Sequence, residues 1–130
     1  MPEYIEYSNK IIAFIIRDKI ISKQTKFFSS SKNSLQFGHI IKKGGEKIPR
    51  HRHKKIKRII YGTPEILIVK RGVTTVTLYV KGKKIKSKTL KKGDLISLID
   101  CEHSFYFNKD TVLQEIKQGP YVNKEKVIYD

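Results

Sequence analysis

The stretch Gly45–His53, with the sequence GEKIPRHRH, places His51 and His53 one residue apart. Side chains of a β-strand alternate between its two faces, so this spacing predicts that both imidazoles point to the same side of a strand. Imidazole is the commonest metal ligand near neutral pH. We therefore expect the two histidines to supply half of a metal site.

Two further candidate ligands lie later in the chain. Glu65 begins an apolar run, and His103 follows another apolar segment. Nitrogen and carboxylate donors around an open position suit Fe, Mn, Ni, Co or Zn, and donor type alone does not select among them. A divalent transition metal is thus the predicted cofactor, with the ligands His51, His53, Glu65 and His103. A site of the three histidines alone stays open as the alternative, because eleven residues separate His53 from Glu65.

The same residues resemble the motifs of the cupin superfamily. Its first motif has a glycine, five residues and then H-x-H, which Gly45, His51 and His53 match. It ends on a glutamate, six intervening residues and then a glycine, as in Glu65 and Gly72. The second motif opens on a glycine and holds a histidine, and the matching residues are Gly93 and His103.

The chain is also similar to small single-domain cupins found in bacterial surface-polysaccharide gene clusters, some of them sugar ketoisomerase-like. The matching residues are His51, His53, Arg58, the run Gly62–Leu67 (GTPEIL), His103, and Glu115–Tyr121 (EIKQGPY). This resemblance implies an all-β fold, the cupin jelly-roll barrel or double-stranded β-helix. It implies one domain, 1–130, with a core of about 35–117. N-terminal strands within 10–28 and a C-terminal tail of 118–130 would pack on that core or on a partner.

The resemblance also implies a function. A sugar nucleotide or another small anionic metabolite of surface-polysaccharide biosynthesis would be the ligand, and the chain would form a homodimer. Whether it is an enzyme stays open between an isomerase, an epimerase, another metal-dependent enzyme and a non-catalytic sugar- or metal-binding module.

A catalytic site without metal is a further alternative. Cupin isomerases and epimerases use a histidine as general base, often with a tyrosine as acid. His51 or His53 would be that base here, and Tyr106 or Tyr61 would supply the phenol. Arg58 would clamp a phosphate or carboxylate through its planar guanidinium. Glu115 would point into the barrel or pair with Arg58.

The strand pattern supports an all-β chain independently of the resemblance. Short segments rich in β-branched residues recur between glycine and polar turns, which is typical of a sandwich or barrel. No amphipathic helix longer than two turns is evident. The predicted strands are 10–21 with a bend or hairpin, 34–42, 65–70, 73–80, 85–90, 95–99, 104–107 and 111–117, and the His pair is expected on a strand of its own.

The net charge of +16 comes from 28 lysines and arginines, of which only five are arginine. The lysines are scattered along the chain, which favours a solvated surface over a dedicated polyanion site. A positive field would still draw in a small anionic substrate. Nucleic-acid binding is the weakest hypothesis, because no motif that reads RNA or DNA is present.

Cys101 is the only cysteine, so the chain has no internal disulfide and no thiolate cluster. As a nucleophile it would need a base within reach, and its segment is predicted to be a loop. The chain has no apolar run of membrane-spanning length, and its first residues do not have the pattern of a signal peptide. We expect a cytoplasmic protein without a membrane partner.

Overall fold

The computed structural model describes residues 1–129. The regular secondary structure of these residues consists of β-strands alone. They form three antiparallel sheets, ordered β1-β2-β8-β5-β10, β7-β6-β9 and β3-β4. The ten strands are β1 (Glu3–Tyr7), β2 (Lys10–Ile16), β3 (Lys26–Phe27), β4 (Gly38–His39), β5 (Glu65–Arg71), β6 (Val73–Val80), β7 (Lys83–Lys91), β8 (Leu95–Leu98), β9 (Glu102–Phe107) and β10 (Val112–Lys117).

The five-stranded sheet is covered on both faces, which explains why β2 reads KIIAFII without alternation. One face packs against the three-stranded sheet. Buried residues of this layer include Ile15, Val69, Val76, Leu78 and Ile96. The other face lies under the β3–β4 hairpin, and the second core cluster consists of Phe14, Ile16, Phe28, Ile66 and Leu95, with Leu35 and Phe37 packed against it. The chain is therefore layered around its five-stranded sheet.

The predicted barrel is not present as a closed structure, because the two larger sheets share no hydrogen-bonded strand pair. Their edges differ. On one side, Glu3 of β1 pairs with Lys88 of β7 at 3.0 Å, which joins the two sheets. On the other side lie the edge strands β9 and β10. The all-β prediction is confirmed, and the sheets form an open sandwich.

The strand predictions from residue 65 onward are confirmed to within two residues, and the earlier start of β9 at Glu102 places His103 in that strand. The N-terminal strand β1 was not predicted. The predicted strand 34–42 is reduced to Gly38–His39. The segment 40–64, all of it described, contains no strand, so the expectation that the His pair lies on one is wrong. No helix of residues 1–129 is long and apolar enough to cross a membrane.

A buried carboxylate ties one corner of the sandwich together. Asp94 is 6% exposed and receives hydrogen bonds from Arg17 Nη1 at 3.0 Å and from the backbone N–H groups of Asp18 and Lys91, both at 2.9 Å. Arg17 also pairs with Glu3 at 2.7 Å. Glu3 lies on β1 and Lys91 on β7, so the network joins the two larger sheets at the edge of the sandwich remote from β9 and β10.

Two glycines give a matched test of the turns. Gly72 joins β5 to β6 at φ +96°, and an added Cβ would overlap the carbonyl oxygen of Asp110 and atoms of Thr111. Gly82 has φ +75° with nothing within 4 Å of an added Cβ. We expect Gly82→Ala to cost only the positive-φ penalty of about 1–2 kcal/mol. Gly72→Ala should cost clearly more, measured by urea unfolding, and equal losses would contradict this packing.

Candidate functional site

Glu65 and His103 meet at one end of the space between the two larger sheets. Glu65 begins β5 and shares a face with Leu67, since strand residues two apart point the same way. His103 on β9 lies opposite the buried Leu78 of β6, so the imidazole points inward as well. The His103 Nε2 atom lies 3.3 Å from Glu65 Oε1. Two of the predicted ligands are therefore in contact.

A second carboxyl group joins this pair. Glu115 on β10 lies opposite Leu67 of β5 and faces the same side of the sheet as Glu65. A hydrogen bond between the two carboxyl groups raises the pKa of Glu115, and burial adds to the rise. The pKa of Glu65 falls to about 2, first because His103 donates a hydrogen bond to it, against the opposing effect of burial. Glu65 is thus the ionised partner, and the pKa shifts of the two carboxyl groups have opposite directions.

The imidazole of His103 is held at both nitrogens. Its Nδ1 lies 3.5 Å from the carbonyl oxygen of Cys101, opposite the contact of Nε2 with Glu65. The Glu65 carboxylate raises the pKa of His103, and burial opposes that rise. The side chains of His103 and Glu65 remain 27% and 17% exposed. The pair is therefore ordered by the protein and still accessible to a small molecule.

The thiol next to this cluster is unreactive. Burial raises the pKa of Cys101 to about 12, and the carboxylates of Asp100 and Glu102 add to the effect. A nucleophilic or metal-binding cysteine needs its thiolate form. Cys101 therefore packs against the core with its thiol protonated.

Besides a cavity of about 540 Å³ lined by Tyr79, Gly82 and residues 127–129, two further cavities open onto His103. One, of about 660 Å³, is lined by Lys32, by the segment 59–64 and by the end of β8. The other, of about 490 Å³, is lined by Glu65, Lys117 and the C-terminal residues 125–129. An ion pair of 3.1 Å between Lys117 and Glu125 holds that C-terminal segment beside the site. Both volumes lie within the range typical of small-molecule sites.

The other predicted site residues lie elsewhere. His51 and His53 are exposed in the segment 40–64, with ring centroids 5.3 Å apart, and His51 Nδ1 lies 2.9 Å from the carbonyl oxygen of Pro49. Arg58 is exposed in the same segment. Tyr106 is 70% exposed on the face of β9 that points away from the core. The structure thus brings Glu65 and His103 together and leaves His51, His53, Arg58 and Tyr106 outside that contact.

The predicted metal site does not fit this arrangement. Within residues 1–129, no group of three or more His, Cys, Asp or Glu side chains is positioned to hold a metal ion. The four predicted ligands form two separate pairs, His51 with His53 and Glu65 with His103.

Sequence reasoning did not assign Lys117 or Glu125 to the site. Lys117 lies opposite Glu65 in the sheet, two residues beyond Glu115. Side chains alternate between the two faces of β10, so Lys117 shares a face with Glu115, two residues before it. This alternation could have assigned Lys117 to the site. Nothing in the sequence indicated that the segment around Glu125 returns to this end of the sandwich.

Comparison of the chain with protein-family models, with curated proteins and with solved structures finds no match. The fold and the site therefore define only a class: an all-β protein with an acid–imidazole cluster at the open end of a sandwich.

The Glu65–His103 pair predicts a specific dependence of stability on pH. Glu65 has a folded pKa near 2 against an ordinary 4.5, so its stabilisation is present above about pH 4.5 and is lost as the pH falls toward 2. We expect the wild type to lose more unfolding free energy than Glu65→Gln over that interval. Urea unfolding at a series of pH values measures the difference. Parallel curves for the two proteins would contradict the assignment of the ionised state to Glu65.

Proposed function

We propose that this chain is a small protein of cupin jelly-roll type that binds a sugar nucleotide or another small anionic metabolite and moves a proton on it, as sugar isomerases and epimerases do. The observation that carries the proposal is the contact between His103 and Glu65 beside the two cavities. The predicted metal is not used in the steps proposed.

His103 is the proton-transfer group in this proposal. Proton transfer is efficient when the pKa of the catalytic group lies near the working pH, which imidazole meets and ordinary carboxyl groups do not. Glu65 acts as a positioning residue, because its carboxylate fixes the ring and stabilises the imidazolium form. The pKa of Glu115 is raised by its hydrogen bond with Glu65, so Glu115 is the carboxyl group of the pair that holds a proton more readily. Two carboxyl groups with opposite pKa shifts are a usual sign of divided acid and base roles.

The anionic ligand is supported by the surroundings of the larger cavity. Lys32 lines it on one side, and the segment that forms the other side follows directly after the basic residues 54–58. The acidic cluster lies at the junction with the second cavity. A ligand with a phosphate group and an uncharged sugar would place the phosphate near the cations and the sugar near His103.

The test compares His103→Gln with His51→Ala against a panel of nucleoside diphosphate hexoses. Calorimetry measures binding, and proton NMR in deuterium oxide measures isomerisation or exchange at the sugar carbons. We expect His103→Gln to lower turnover by about 10²–10⁴-fold, the usual contribution of a positioned acid or base. His51→Ala should leave turnover within a few-fold of wild type. Loss of turnover in His51→Ala but not in His103→Gln would overturn the assignment.

A non-catalytic binding module is the second candidate. The specific observation in its favour is that Glu65 and Cys101 occupy both nitrogens of His103, as in a structural ion pair. A module of this kind would bind a member of the panel without turnover in the wild type. Affinity unchanged by His103→Gln would then assign His103 to the fold.

A further inference from the structure

Residues 42–63, here called the basic loop, form a continuously exposed segment without a strand. The loop is held at its two ends. Thr25 Oγ1 accepts a hydrogen bond from the Ile41 N–H at 2.9 Å, and the Gln118 N–H donates to the Pro64 carbonyl oxygen at 3.1 Å. Connections of this length are uncommon inside compact domains and are usually functional. The basic loop is therefore a candidate interaction surface.

The charge of the basic loop is not neutralised by the described chain. Residues 42–58 contain nine lysines and arginines and a single carboxylate, Glu46, so their net charge is +8. Glu46 Oε1 accepts a hydrogen bond from the backbone N–H of Lys43 at 2.7 Å, which closes a local turn. Within residues 1–129, none of the nine cations belongs to an ion pair. A charge of this density attracts a polyanionic partner.

Aliphatic side chains lie among these cations. Ile48 is 53% exposed, Ile56 61% and Ile59 75%. Each of the three isoleucines directly follows a lysine or an arginine in the sequence. Aliphatic side chains that gather in solvent indicate an interaction surface. The partner must therefore offer an apolar medium directly beside its negative charges.

A bilayer that contains anionic lipid meets both requirements. Lysine and arginine keep their charged heads at the phosphate level while their methylene stems lie against apolar surface. Isoleucine enters the boundary between headgroups and acyl chains, and polybasic clusters of four to eight residues are typical of segments that bind anionic lipid. Single-stranded nucleic acid fits the charge less well, because its bases stack on aromatic rings and Tyr61 is the only Phe, Tyr or Trp of the loop.

We infer that the basic loop binds this protein peripherally to a membrane surface rich in anionic phospholipid. Its cations contact the headgroup phosphates, and Ile48, Ile56 and Ile59 enter the boundary with the acyl chains. Peripheral binding needs no apolar run of membrane-spanning length, so the lack of such a run in the sequence does not oppose it. The contact between Glu65 and His103 takes no part in this binding, which is therefore independent of the proposed function.

Co-sedimentation with vesicles tests the role of the cations. The wild type should bind vesicles of phosphatidylglycerol and phosphatidylcholine in equal parts and should not bind phosphatidylcholine alone. Lys47→Gln/Arg50→Gln/Arg52→Gln should weaken binding by at least about tenfold, because each removed cation lies near the anionic surface. The matched control is Lys83→Gln/Lys84→Gln/Lys86→Gln, which removes the same charge from exposed positions of β7. It should weaken binding by no more than about threefold, since charges far from the surface are screened.

An Ile56→Trp variant tests whether the aliphatic side chains enter the lipid. The chain has no tryptophan, so the fluorescence reports this position alone. The emission should move to shorter wavelength on the anionic vesicles. Ile21→Trp is the control, since Ile21 is 78% exposed outside the loop, and its emission should not move. Circular dichroism of each variant confirms that the fold is intact.

Each of four results would overturn the inference. The first is a wild type that does not bind the anionic vesicles at low salt, and the second is equal binding to both kinds of vesicle. The third is an equal loss of binding in the two triple variants, or an Ile56→Trp emission that stays unshifted in the bound protein. The fourth is a wild type that binds an RNA oligonucleotide in preference to the vesicles.

Discussion

Replacing Phe14 with alanine is expected to lower the free energy of unfolding by about 3–5 kcal/mol, the usual cost of truncating a buried phenylalanine. The ring has no exposed surface and lies on the face of β2 covered by the β3–β4 hairpin. Its removal leaves a cavity between layers that are fixed by hydrogen-bonded strands on one side, so the gap cannot close easily. Urea unfolding followed by circular dichroism measures the loss.

Phe27→Ala is the control for this prediction. Phe27 belongs to the same hairpin, but it is 54% exposed. Its truncation should cost about 1 kcal/mol, because roughly half of its apolar area is already in water. Equal losses for the two variants would contradict the layered core, since they would mean that the face of β2 toward the hairpin is not buried.

Replacing Asp94 with alanine is expected to cost about 2–4 kcal/mol. The substitution leaves the guanidinium of Arg17 and the backbone N–H groups of Asp18 and Lys91 without their acceptor. Each unsatisfied donor costs about 1–3 kcal/mol when buried, and the partial exposure of Arg17 reduces its share. The loss should appear as a lower urea midpoint with an unchanged slope.

Two companion variants separate charge from shape at this corner. Asp94→Asn keeps an acceptor oxygen and the side-chain volume, so it should lose less than the alanine variant. Glu6→Ala removes an exposed carboxylate on β1 and should change stability by no more than about 0.5 kcal/mol. An Asp94→Ala protein as stable as Glu6→Ala would show that this network does not join the sheets.

The strands from Glu65 onward could be predicted from the sequence because each signal there is local. Glycine turns separate short β-branched runs, and β6 matches its predicted range. The pairing of these strands into an open sandwich could not be predicted in the same way. The pairing depends on which edge strands find hydrogen-bonded partners, and the residues of β9 and β10 do not indicate this.

The His pair shows where a local pattern misleads. Two histidines one residue apart predict a common face only if a strand forms, and a strand needs a partner to satisfy its backbone groups. No strand pairs with the segment 40–64 within the described chain, and backbone hydrogen bonds join it to the rest of the chain at Ile41 and Pro64, near its two ends. Its nine cations and the turn at Gly44–Gly45 also oppose regular pairing, so the histidines lie in solvent.

The pairing of Glu65 with His103 is the part of the site for which sequence reasoning was most informative. Both residues were selected as ligands of one centre, and they lie in contact on different sheets. Glu115, whose placement the sequence left open, lies on β10 on the same side of the sheet as Glu65 and is exposed. The role of the C-terminal segment could not be predicted, because Glu125 reaches the site through tertiary packing against Lys117.

The central claim is that ligands bind at His103 and not at the His51–His53 pair. The most direct measurement is long-range ¹H–¹⁵N NMR of the four imidazoles while the panel of nucleoside diphosphate hexoses is added. We predict that a member of the panel shifts the ring resonances of His103 in a saturable way, with those of His51 and His53 unchanged. Shifts confined to His51 and His53, or no saturable shift of His103 with any member of the panel, would contradict the account.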